Sequence, residues 1–144
     1  MHDETSSRYL GGCLCGAVRY VATGTPPMEG NCHCRDCRRV SGSAYAPTLF
    51  FPVDAVEIAG EPAWYESIGG SGQPIRRGFC ATCGTQLFGR PTLRAGMIGI
   101  RAGTLDDPAQ YRPQADIFTA HAPSWDRMLD ATAKFETAPS LPPA

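Results

Sequence analysis

The chain has 144 residues, a formal net charge of −1 at pH 7, 42% hydrophobic residues and 19% charged ones. That length suits one domain whose folding removes about 68–70% of the unfolded surface from water. The balanced charge excludes a global field for holding nucleic acid or an anionic membrane, and no apolar run approaches the roughly 20 residues of a membrane-crossing helix.

The opening stretch, MHDETSSRYL, carries acids and hydroxyls where a secretory signal has a basic segment followed by an apolar one, so a soluble, cytoplasmic protein is expected. Sixteen glycines and thirteen prolines are spread along the chain as punctuation, which suits many short strands joined by turns. Strands are expected at Ala17–Ala22, Ser43–Phe51, Ala63–Ser67, Ile75–Phe79, Gly84–Phe88 and Gly96–Gly103, where β-branched and aromatic residues recur over short runs. SIGGSGQP, Ser67 to Pro74, reads as a hairpin tip or as the mobile edge of a site. Helix is expected twice: a brief turn after Cys34, and Trp125–Phe135 starting from a Ser124 cap. The fold class is therefore mainly β, with a domain over residues 8–130 and a partly disordered C-terminal tail over 131–144, frayed beyond Phe135 where prolines accumulate.

Seven cysteines carry the chemistry: Cys13, Cys15, Cys32, Cys34, Cys37, Cys80 and Cys83. Close pairs separated by one residue do not easily bridge to each other, and an odd count leaves one thiol over, so metal ligation is favoured over disulfides. In FCATCGTQLF, two cysteines flank two residues and a glycine follows, the pattern of a knuckle turning around a metal. It supplies only two ligands. Along a regular strand Cys13 and Cys15 would lie roughly 7 Å apart by backbone rise, too far for one ion, but Gly11, Gly12 and Gly16 permit a bend. Cys13 and Cys15 are thus expected to join Cys80 and Cys83 around one structural zinc.

That leaves Cys32, Cys34 and Cys37 in NCHCRDCRRVSG, a set able to wrap a second zinc and leave its fourth position to His33, water or a substrate atom. Three thiolates on one divalent ion leave a net charge of minus one, which weakens the ion toward water but suits an incoming sulfur. His33 lies between two ligands; it reads as a partly exposed histidine bonded to a neighbour, or as a proton carrier beside the site. Arg35, Arg38 and Arg39 follow closely; they read either as a solvated face balancing thiolate charge or as carboxylate binders, Arg38 foremost. Ser43 and Tyr45 follow the ligand loop and are substrate-binding candidates, whereas Trp64, Tyr65, Phe79, Phe88 and Phe118 read as packing. Asp106 and Asp107 before Pro108 read as a turn.

GGCLCGAVRY, CHCRDCRRVSGSAYAP and FCATCGTQLFGRP, in this order and spacing, resemble the glutathione-dependent formaldehyde-activating enzyme (Gfa) family, whose domain also occurs in centromere protein V. The resemblance runs from about Gly11 to Trp125 and takes in AGTLDDP and IFTAHAPSW. It implies an Mss4-like (β-tent) fold of short antiparallel strands, a structural zinc on the outer four cysteines and a more labile zinc on Cys32, Cys34 and Cys37. It also implies a carbon–sulfur lyase-like activity in which glutathione adds to formaldehyde to give S-hydroxymethylglutathione. The expected partner is a small thiol such as glutathione, with no nucleic acid and no membrane. A non-catalytic zinc-binding module mediating protein interactions is the rival, since fold alone does not fix chemistry; a redox enzyme would need a cysteine free of metal.

Overall fold

Two sheets packed face to face make up the computed structural model, which describes residues 7–138. In chain order the elements are β1 (Arg8–Gly12), β2 (Arg19–Thr23), β3 (Met28–Cys32), α1 (Arg35–Ser41), β4 (Ala46–Pro52), β5 (Val56–Ala59), β6 (Ala63–Ile68), β7 (Pro74–Phe79), β8 (Gln86–Pro91), β9 (Met97–Arg101), β10 (Ala115–Ile117) and β11 (Ala133–Lys134). A three-stranded antiparallel sheet runs β1-β2-β5. An eight-stranded sheet runs β11-β10-β3-β4-β9-β8-β7-β6, antiparallel except that β10 lies parallel to both β3 and β11. The chain is mainly β, as expected, with these parallel pairings added to the antiparallel strands.

The period of two explains how one sheet serves both core and site. On β4, Leu49 and Phe51 join the core cluster, while Thr48 and Phe50 line a cavity on the opposite face. On β9, Ile98 and Ile100 go to the core, and Gly99 and Arg101 line that same cavity. Val18, Tyr20 and Ala22 close the core from the smaller sheet. Tyr20 meets Phe88 edge to face at 5.6 Å, and its hydroxyl lies 2.8 Å from the Thr104 hydroxyl. Leu49, Phe51, Leu87 and Ile100 are at most 1% exposed, and burial of each contributes about 1.5–3 kcal/mol.

Of the aromatic residues expected to pack, Phe88 is fully buried and Trp64 stacks on it at 6.2 Å, but Tyr65 is 64% exposed on the edge strand β6. The Ser67–Pro74 stretch is the tip of the β6–β7 hairpin, closed by the Gly69 amide on the Gln73 carbonyl at 2.9 Å. Asp107 caps a 3-10 turn over Pro108–Gln110, while Asp106 pairs with Arg19.

The helix expected over Trp125–Phe135 is absent. Trp125 and Leu129 are 62% and 58% exposed, so this segment buries no apolar stripe, and its polar side chains are drawn elsewhere. Asp126 bonds to His33, Thr132 to Asp116, and Ala133–Lys134 becomes an outer strand. Where fraying was expected, the backbone is bonded as far as Thr137, whose carbonyl accepts from the Phe118 amide at 3.2 Å. The remaining expectation of disorder falls on 139–144, outside the described residues. Among the described residues no helix is long and apolar enough to cross a membrane.

Candidate metal centres and the cleft between them

β1 ends at Gly12, and the chain then turns so that the Gly16 amide bonds the Cys13 carbonyl at 3.2 Å. Gly16 takes φ 83°, a conformation that strains other residues. The turn brings the Cys13 and Cys15 sulfurs to 3.7 Å, the bend that a regular strand would forbid. In the knuckle after β7, the Gly84 amide bonds the Cys80 carbonyl at 2.7 Å, and the Cys80 sulfur reaches within 3.8 Å of Cys15. All four sulfurs lie within 4.8 Å of one another and could hold a metal ion. Four sulfurs at about 2.3 Å from a tetrahedral ion stand about 3.8 Å apart, so the observed separations fit.

Amides steady these sulfurs. Val18 N donates to Cys13 Sγ at 3.3 Å and Cys83 N to Cys80 Sγ at 3.5 Å. Cys83 lies 3.2 Å from the Thr85 hydroxyl, and hydrogen bonds from that side chain and backbone pull its thiol down to about 5. A thiol so poised is a ready ligand.

The second cluster comes from one segment. Cys32 closes β3, Cys34 caps α1, and Cys37 sits in its first turn; the three sulfurs lie within 4.8 Å of one another and could hold a second ion. Cys34 Sγ accepts from the Cys37 amide at 3.3 Å. Hydrogen bonds from the Cys32 and Cys37 thiols, with that amide, lower its pKa strongly against the opposing effect of burial. No described carboxylate or imidazole lies in the group, so the described residues supply three ligands and no fourth.

His33 does not project toward that cluster, and it is not partly exposed: it is 0% exposed, with both ring nitrogens spent on carboxylates. Nε2 lies 2.6 Å from Asp116 Oδ1, and Nδ1 bonds Asp126 Oδ2. Asp116, also fully buried, collects Asn31 Nδ2 at 3.2 Å on Oδ1, the Thr132 hydroxyl on Oδ2, and Lys134 Nζ at 3.6 Å. Burial would raise the Asp116 carboxyl, but donors from Thr132, His33 and Asn31 outweigh it and hold the group below the usual carboxylate range. This buried network ties β10 and the C-terminal segment to the backbone between Cys32 and Cys34. Both ring nitrogens are thus engaged by buried carboxylates within this network.

Two spaces open beside the trio. A cleft of about 530 Å³ lies between the loop after α1 and the knuckle of the four-cysteine cluster; Ser43, Tyr45, Thr85, Gln86 and Arg101 are on its wall. Tyr45 packs its ring 5.0 Å from that of His33. A smaller cavity of about 120 Å³ is walled by Cys32 and Cys37 together with Phe50, Ile75, Ile117 and Arg101. Ser43 and Tyr45 thus lie on the wall of the cleft, whereas Arg38 lies on α1 outside both linings, with a buried Nε that has no partner.

Sequence reasoning missed Arg101 and the carboxylates around His33. GMIGIRAG reads only as a strand, and nothing in it marks the arginine as facing distant cysteines. Phe118 packs against the trio, as expected of it, and among the described non-glycine residues it alone has a positive φ, 55°, in the left-handed region. Such backbone strain gathers at functional sites.

The sequence profile described as glutathione-dependent formaldehyde-activating enzyme matches residues 8–121. No match is found among curated proteins. Among solved structures, the crystal structure of a Rhodobacter sphaeroides protein is similar, with a TM-score of 0.56 and 20% identity over 70% of this chain and 93% of that one; at that identity the likeness concerns the fold.

Proposed function

Because the chain belongs to the glutathione-dependent formaldehyde-activating enzyme family, we propose that it is a zinc-dependent enzyme of carbon–sulfur lyase type, joining a small thiol of the glutathione kind to an aldehyde or releasing the two from their adduct. The observation that carries this reading is the three-sulfur cluster, to which no described carboxylate or imidazole adds a fourth ligand, with Cys32 and Cys37 on the wall of a cavity. A zinc ion on Cys32, Cys34 and Cys37 would favour the incoming thiol as thiolate, through soft-ligand preference and a lowered thiol pKa.

The chain's own residues do the rest. Cys13, Cys15, Cys80 and Cys83 would close around a second zinc and lock the two sheets together. The aspartates around His33 hold the Cys32–Cys34 backbone in register. Phe50, Ile75 and Ile117 give the inner cavity an apolar wall that would limit the water reaching the reacting atoms. In the forward direction the thiol loses its proton and its sulfur attacks the carbonyl carbon. The carbon–oxygen π pair moves to oxygen, which takes a proton from a water in the cleft while that water recovers the proton given up by the thiol, giving the hydroxyalkyl thioether with no net loss or gain of protons. A cytoplasmic setting, reducing enough to keep seven thiols free, accompanies this reading.

Calorimetry of glutathione into the zinc-loaded protein, with the rate of formaldehyde adduct formation followed by NMR, tests the proposal. Binding together with a faster approach to adduct equilibrium is expected. Absence of both, with both metals retained, would favour the non-catalytic zinc module instead.

A further inference from the structure

Resting on that reading of the trio, we propose that Arg101, on the wall shared by the outer cleft and the inner cavity, is the residue that receives the substrate's anion, a carboxylate or a thiolate. Its Nη1 donates to Thr48 Oγ1 at 2.8 Å, which fixes the plane of the guanidinium, while its buried Nε has no partner and no described acceptor takes Nη2. A guanidinium held by one edge, with donors to spare on the other, is a fork awaiting a planar anion.

The sheet beneath is cut to admit it. A side chain at Gly89 would stand 3.2 Å from Arg101 Nη2, and one at Gly99 would meet Thr48, the residue that anchors Arg101, at 2.8 Å.

Charge completes the case. Among the described residues no carboxylate comes within ion-pair distance of Arg101 or of Arg77, itself only 4% exposed. Arg77 bonds Ser67 Oγ at 3.1 Å and leaves its Nε unpartnered. Burial, the largest effect, and the nearby Arg77 charge disfavour the Arg101 cation, whereas Cys37, Cys32 and Cys34 favour it. Three thiolates around a divalent ion carry one negative charge, and the two arginines carry two positive ones. One positive charge is left over in a poorly solvated place, and an incoming anion neutralises it. Gln86 lies on the same cleft with a buried Oε1 that accepts nothing, an acceptor suited to the amide N–H of a peptide-like thiol.

The test compares the zinc-loaded wild type with Arg101→Met and Arg101→Lys, all with melting curves. Calorimetric probes are S-methylglutathione, which keeps the carboxylates but has no thiol, and 2-mercaptoethanol, which has a thiol but no carboxylate. Arg101→Met is expected to weaken at least one of them about tenfold or more, with Arg101→Lys restoring part of the loss. Loss with the first probe makes the ligand a carboxylate, and loss with the second makes it a thiolate. Equal binding of both probes by wild type and Arg101→Met overturns the proposal.

If neither probe nor glutathione binds the wild type, the thiol-substrate reading falls, and alkylation decides the role of Arg101 separately. The rate ratio of anionic iodoacetate to neutral iodoacetamide at Cys32 and Cys37, mapped by peptide mass spectrometry against Cys15 and Cys83, is expected to drop in Arg101→Met. An unchanged ratio refutes anion reception there.

Discussion

The two cysteine clusters use the same atom differently. The four-cysteine cluster draws its ligands from two distant parts of the chain, one pair following β1 and one following β7, so an ion there would act as a cross-link between the sheets. The three-cysteine cluster comes from a single turn between β3 and α1, so closing it would tie together almost nothing that the backbone does not already connect. Among the described residues the first offers four sulfurs and the second three. On the proposed reading, an ion on the four-cysteine cluster would serve stability, and one on the trio would keep a coordination position for chemistry.

The largest way to break this contrast is to remove a sulfur from the four-cysteine cluster. Cys80→Ser is expected to abolish cooperative folding, because structural zinc sites contribute about 10–16 kcal/mol of apparent binding free energy, more than the whole stability of most domains. Loss of the thermal transition together with loss of metal would be seen by calorimetry and native mass spectrometry. A folded Cys80→Ser protein would mean the cross-link is dispensable. Cys37→Ser should act more narrowly: metal content falls by about one ion per chain while the melting transition persists, and adduct formation stops. Collapse of the fold in Cys37→Ser would reverse the roles given to the two clusters.

How far this contrast can be read without a structure depends on the span of each interaction. The trio is visible because its ligands are packed into one turn, and the knuckle because its spacing is short. The partnership of Cys13 and Cys15 with Cys80 and Cys83 follows from counting thiols and from the glycines that permit the bend. Strands β4, β6, β7 and β9 announce themselves by runs of β-branched and aromatic residues. β3, MEGNC, does not, because its burial is paid for by polar contacts: Asn31 takes the Tyr111 hydroxyl at 2.6 Å, and Glu29 takes the Arg112 amide at 2.9 Å. The Trp125–Phe135 segment has helical composition, yet Asp126 is captured by a histidine far away in the chain. Propensity is a weak preference, and a buried charged contact overrides it.

That contact distinguishes the clusters in another way. Among the described residues only the trio is backed by the His33 network, and Asp126→Ala should cost about 1–3 kcal/mol by leaving His33 Nδ1 unpaired in the interior. The loss should be local. Amide hydrogen exchange should accelerate at Phe118, Thr119 and Phe135, whose amides bond across the C-terminal segment, while Cys80 and Gly84 remain protected. Uniform acceleration across both clusters would mean the network supports the whole fold rather than the trio.

Acidification gives the smallest and most selective effect. The Asp116 carboxyl is held below its ordinary value, so the folded state binds its proton less readily than the unfolded chain does. The stability this contributes is fully present above the unfolded carboxylate value of about 3.9 and is lost as pH falls through the depressed folded value. Exchange at the Phe135 amide, bonded to the Asp116 carbonyl at 2.9 Å, reports it directly. Opening free energy there should decline with acid in the wild type and lose that dependence in Asp116→Asn, which keeps one acceptor oxygen but cannot ionise. Because acid also protonates metal-holding thiolates, metal content is followed in the same samples. If opening at Phe135 tracks metal release in both proteins, thiolate protonation governs the segment; if it declines only where Asp116 can ionise, the buried carboxylate does.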